Sequence, residues 1–184
     1  MMQRLNGVLI GAVFGMVFVA VNANAPLPPV AGTILRALAT LGLAAVIVMW
    51  FVAMRRTKGG TDTGGDPRPG MFNRKYVVIV ALEAIALFGG IQVLRLLGWP
   101  SQAGVAWTAL IVGVHFVALW PVWRAVSILI PGIGLTVLGL AGLVMVWTQA
   151  VTWVPLASGV LSGLVLLAGS LFYARRQLRA LTAR

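Results

Sequence analysis

An all-α integral membrane protein, six transmembrane helices in one compact bundle, is the architecture this sequence predicts, and three observations predict it. Of 184 residues, 60% are apolar and only 9% are charged, with a mean hydropathy of +1.00. Six apolar stretches are long enough to cross a bilayer, which takes about 20 helical residues for roughly 30 Å of hydrocarbon. The acids are Asp62, Asp66 and Glu83 alone, too few to give a water-soluble domain of this size a polar exterior.

The first span covers residues 5–23. Its opening, MMQRLNGVLIGAVFGMVFVAVNANA, has the basic start, apolar stretch and Ala23-Asn24-Ala25 of a secretory signal. Pro26 would follow the cut, a residue that signal cleavage tolerates badly, so the reading is an uncleaved first helix. Gly7, Gly11 and Gly15 recur on it at intervals of four, the spacing that lets helix backbones approach closely. NAPLPPVAGT then connects to the second span, 34–54. The basic segment 55–75, RRTKGGTDTGGDPRPGMFNRK, leads into the third, 76–97, which carries Glu83, the only glutamate of the chain. GWPSQ turns into the fourth, 103–123, which carries the only histidine, His115. A tight turn at Arg124 opens the fifth, 126–147, where Pro131-Gly132 removes a ladder donor and predicts a kink, either a hinge or a bend that fits the bundle. TQAVTW precedes the sixth, 154–174, with Gly159 and Gly163 again four apart, and a basic tail, 175–184, follows. The whole chain, 1–184, reads as one transmembrane domain.

Orientation follows from the basic residues, because cytoplasmic loops retain Lys and Arg. Twelve lie on one side: Arg4, six in the 55–75 segment, Arg124, and Arg175, Arg176, Arg179 and Arg184. Only Arg36 and Arg95 lie on the other. Both termini are expected in the cytoplasm. Tryptophans, which favour the interface, agree: Trp50, Trp120 and Trp123 mark the inner level, and Trp99, Trp107, Trp147 and Trp153 the outer. The basic clusters read as topology signals and contacts to anionic lipid, not as a nucleic-acid surface. Abundant Ala, Gly and Val with Arg in excess of Lys points to a bacterial inner membrane.

Residues 38–53, LATLGLAAVIVMWFVA, align without gaps to 135–150, LTVLGLAGLVMVWTQA, with seven of sixteen positions identical. These are the second and fifth spans, as a three-plus-three inverted repeat requires. Leu, Ala, Gly and Val dominate any such helix, so chance matching is the competing explanation.

Glu83 poses the functional question, since an unpaired charge at its depth costs about 2.5–3.5 kcal/mol on insertion scales. Spans three and four form an antiparallel hairpin turning at Trp99-Pro100, and Glu83 and His115 each stand sixteen residues from Trp99. They are therefore expected level with each other, roughly 12–14 Å above the cytoplasmic basic residues. A carboxyl and an imidazole that meet can exchange a proton, which is what a relay does. Gly90 and Thr108 are likewise level and suggest a gap and a hydroxyl leading outward. The alternatives are a purely structural pair, or no contact at all. Arg36 and Arg95 anchor helices by snorkelling or, with Asn22, Asn24, Gln92 and Gln149, line an external vestibule for an anionic or polar solute.

Other classes fit less well. One His and one Glu are too few for a metal site, no Gly-rich phosphate loop is present, and no cofactor is implied. Ser158 and Ser162 in ASGVLSGL make the chain similar to intramembrane serine proteases in helix number, but those carry the nucleophile in a Gly-x-Ser-Gly sequence ahead of the histidine, and both serines here follow His115. The expectation is no enzyme. PLPPVAGTILRAL resembles the first external loop of the biotin-specific substrate-binding subunits of energy-coupling-factor transporters, also six-helix proteins of this size. The resemblance ends with that stretch and carries over no site residue. Two readings remain: a membrane protein that transports or binds a small solute or protons, and a non-transporting subunit or scaffold that packs on a partner, or on its own copies, through its glycine faces.

Overall fold

A computed structural model describes residues 2–57, 74–123 and 126–182. Lys58, Asp62, Asp66, Arg68, Arg124 and Arg184, given loop, turn or topology roles above, lie outside the described residues. The fold is all-helical, with no strand among the described residues. Its elements are α1 (Met2–Asn22), α2 (Pro29–Thr57), α3 (Arg74–Leu96), α4 (Gln102–Trp123), α5 (Val126–Met145) and α6 (Leu161–Thr182). Five segments are long and apolar enough to cross a membrane: α2, α3, α4, α5 and the run Val151–Ala180; the apolar part of α1, Asn6–Asn22, is shorter.

Several boundaries have local causes. α2 starts at Pro29, five residues before the expected span, because proline at a first helical position forgoes an N–H that has no acceptor there. α2 ends on Arg55 and Arg56 and α6 carries Arg179 in its last turn, cations where the helix dipole favours them. The expected basic tail is thus a helical continuation through Thr182. Between α5 and α6 the chain makes a 3-10 turn, Val151–Trp153, and a six-residue π-helical turn, Pro155–Val160.

The turn after α3 sets the register of the site. Gly98 has a φ of +71°, which favours glycine. Its N–H donates to the Arg95 carbonyl and that of Trp99 to the Leu94 carbonyl, both at 3.0 Å. This paired closure ends α3 and reverses the chain at Trp99.

α6 lies centrally against α1, α2 and α5, and the π turn touches α1, α4 and α5. One apolar cluster joins α1, α2 and α6 around Val19, Val46 and Leu167; a second joins Phe18 of α1 to Ala109 and Val112 of α4, Leu135 of α5 and Leu166 of α6. The glycine faces predicted on the first and last spans meet each other. A Cβ at Gly15 would stand 2.8 Å from the Gly163 carbonyl oxygen and 2.9 Å from Leu167, and one at Gly11 3.0 Å from the Ser170 hydroxyl. Gly159 faces the Asn22 side chain, and Gly7 is half-buried. The α4–α5 seam is equally close: Gly113 faces Thr136, and Gly139 faces the Leu110 backbone. Gly132 belongs to this seam, where an added Cβ would stand 3.0 Å from the Phe116 Cβ, and α5 runs through Pro131 as one helix. Close approach to α4 is what Gly132 provides.

α3 stands apart. None of its membrane-length stretch is buried, it contributes to neither cluster, and α4 is the one helix it packs on substantially.

Candidate functional site

Three ties hold α3 to α4. At the end carrying the chain termini, Tyr76 stacks on Trp123 with ring centroids 5.7 Å apart. Two turns further along α3, His115 Nδ1 lies 3.0 Å from Glu83 Oε2. Beyond that, Trp107 donates its Nε1–H to the Ala86 carbonyl at 3.0 Å. The first two ties are residues the hairpin register pairs; the turn at Gly98 and Trp99 fixes that register.

The acid and the imidazole therefore meet at equal height. The His115 side chain is 11% exposed and that of Glu83 21%, so neither is bathed in solvent and each is the other's main polar neighbour. The approach is close without being aligned: Nδ1 is within ion-pair distance of the carboxylate, yet it makes no hydrogen bond of good angular geometry. At 3.0 Å the two groups are in polar contact, and rotation of the ring or the carboxyl is what would align them into a hydrogen bond. Such a pair can exist as imidazolium with carboxylate or as neutral imidazole with neutral acid, and the two forms differ by the position of one proton.

The expected gap above the pair is filled. The space beside Gly90 is taken by the Trp107 indole, against which any Cβ at Gly90 would clash. Thr108 uses its hydroxyl proton on the Gly104 carbonyl at 2.7 Å. The polar path from Gly90 and Thr108 to Glu83 is thus closed, because the largest side chain of the hairpin fits where its smallest leaves room. Trp107, counted above among outer interface markers, is a packing residue.

At the opposite end from the termini, α1, α3, α4 and the Trp99 turn line an open cavity of about 500 Å³. Val17, Phe18, Val21 and Asn22 come from α1, Ile91, Leu94 and Arg95 from α3, and Gly104, Val105 and Thr108 from α4. It stops at Thr108, seven residues or about 10 Å of helix short of His115. Of the expected vestibule residues, Arg95 and Asn22 line it. Arg36 does not: its Nε–H donates to the Ala20 carbonyl at 3.1 Å and its Nη2 to Asn24 Oδ1, tying α2 to the end of α1. Gln92 is exposed and lies off the cavity.

The π turn lies behind the α1 wall. Asn22 presses on Gly159 of that turn and donates to the Phe18 carbonyl at 2.8 Å. Ser158 is fully buried and donates to the Leu138 carbonyl at 2.8 Å; Ser162, also fully buried, has no hydrogen-bond partner for its hydroxyl. Wider turns of this kind recur at functional sites. The sequence signals this one weakly, through Pro155 and two serines in an apolar run. No group of three or more His, Cys, Asp or Glu that could hold a metal occurs among the described residues.

No family model matches the chain, and no curated protein or solved structure matches it significantly.

Proposed function

We propose that the protein is a multi-pass protein of the bacterial cytoplasmic membrane, both termini cytoplasmic, that binds or moves a small solute or protons with Glu83 and His115 as its protonation-sensitive pair. The observation that carries this reading is the 3.0 Å approach of the chain's one glutamate and one histidine within helices long and apolar enough to cross a membrane. Intramembrane ionisable residues are costly and mark ion or substrate pathways by default. The basic loop and tail rest on anionic lipid. The π turn at the start of the last span adds support, since irregular backbone at depth lines cavities and sites. Two inverted three-helix halves would suit this function. The aligned segments support them, whereas the packing of the paired glycines differs, for Gly42 faces Leu167 and Leu171 of α6 while its counterpart Gly139 faces α4.

The test is proton entry into vesicles carrying the reconstituted full chain and an internal pH indicator. An external acid step should acidify them faster than protein-free vesicles, and Glu83→Gln should remove the difference. Equal rates for wild type and Glu83→Gln would defeat the reading.

One observation favours a second reading, a non-transporting subunit. α4 is the one helix α3 packs on substantially, and a Cβ added at Gly89 on it would meet nothing within 4 Å, so a partner or second copy would cover α3, not the glycine faces of α1 and α6 that cover each other. Mass measurement in mild detergent separates the two: a bound partner supports this reading, a lone chain the first.

A further inference from the structure

Of the two arginines away from the basic clusters, one is spoken for. Arg36 is held by the Ala20 carbonyl and Asn24. Arg95 lines the outer cavity, is exposed, and its guanidinium bonds nothing among the described residues. Among the described residues no carboxylate is placed to neutralise it: Glu83 is on His115, twelve residues or about 18 Å back along α3. A planar cation without a counter-ion, beside apolar walls, is built for a carboxylate or phosphate oxygen pair.

The rest of the lining narrows the ligand further. Four other side chains with donors reach the cavity: Thr108 donates to Gly104, Ser101 to Gln102, Asn22 spends one of its two amide N–H groups on Phe18, and the Trp99 indole N–H bonds nothing among the described residues. Arg95 is therefore the one cationic donor a ligand meets, with neutral N–H donors of Trp99 and Asn22 on the same lining. Val17, Phe18, Val21, Ile91 and Leu94 supply the remaining wall. A Cβ added at Gly104 would meet nothing within 4 Å, so open space adjoins that glycine on the α4 side. The volume of about 500 Å³ is in the range of small-ligand sites.

We propose that this cavity binds a small amphipathic monoanion, its head on Arg95 and its apolar body against α1 and α3. The proposal rests on reading the chain as a solute-handling membrane protein, but it concerns binding alone, so proton flux and ligand binding can fail separately. Two sources share this chemistry, a free carboxylate and an anionic lipid of the outer leaflet.

The experiment measures octanoate and octanamide binding to the purified full chain in nonionic detergent by saturation-transfer NMR, with thermal stability read in parallel because Arg95 also stands where the α3 dipole favours a cation. Octanoate should bind roughly tenfold or more tightly than the amide, the scale of one charge-assisted hydrogen bond. Arg95→Gln should erase that preference, and Gly104→Phe, which fills the cavity, should weaken both ligands. Val93→Ala, on the opposite face of α3, should change neither. Competition by phosphatidylglycerol but not phosphatidylcholine would assign the site to lipid; its absence would assign it to a soluble acid. Equal binding of acid and amide, or a preference that survives Arg95→Gln in a folded protein, overturns the proposal.

Discussion

Replacing His115 alone should destabilise the protein far more than replacing His115 and Glu83 together. In His115→Leu the carboxyl keeps its depth, 21% exposed at most by its present surroundings, and loses its counterpart. Keeping it ionised costs about 2.5 kcal/mol or more on insertion scales. His115→Leu should therefore lose about 2.5–3.5 kcal/mol. Glu83→Leu strands only the less costly imidazole and should lose about 1–2 kcal/mol. With both replaced, no polar group is stranded, and stability should return to within about 1 kcal/mol of wild type, as when other buried pairs are exchanged for apolar residues. Equilibrium unfolding of the wild type, both single variants and the double variant in mixed micelles supplies the cycle. Strictly additive single losses would refute the reasoning.

Other outcomes follow from the packing. Gly15→Val should destabilise by about 2 kcal/mol or more, because its added Cβ would stand 2.8 Å from the Gly163 carbonyl, while Gly89→Val, with nothing within 4 Å, should stay within about 0.5 kcal/mol; unfolding curves of the two variants compare them directly. Gly90→Ala should expel the Trp107 indole and break its bond to Ala86, for a loss of about 1–3 kcal/mol, seen as a red-shifted tryptophan emission that is absent in the Trp107→Phe background. Ser158→Ala should cost about 1 kcal/mol by freeing the Leu138 carbonyl, again by unfolding.

The helices were legible because apolar runs bounded by Arg, Pro and Gly leave few places to end. The Glu83–His115 meeting was legible for a narrower reason: a hairpin with a short turn has one register, and the Gly98 closure centres it on Trp99. What lies beside that register was not. Gly90 and Thr108 are level by the same arithmetic, but depth says nothing of rotation about the axis, and it is rotation that brings Trp107 onto Gly90 and turns Thr108 to the cavity. Nor does the sequence tell α3 from α6. Both spans are dominated by apolar residues, so periodicity says little of which is central; small residues facing α1 on the latter and Glu83 on the former are the main hints. The π turn escaped because TQAVTW and Pro155 mark a helix start without marking its pitch.

The most direct measurement uses the fact that the chain has one histidine. With ¹⁵N-histidine incorporated into the full chain in lipid bilayers, the two imidazole nitrogens of His115 give signals free of overlap, and their shifts report protonation and tautomer. The account predicts that Glu83→Gln moves these signals at fixed pH, because it replaces the carboxyl 3.0 Å from Nδ1. An imidazole whose signals are the same in wild type and Glu83→Gln would contradict it.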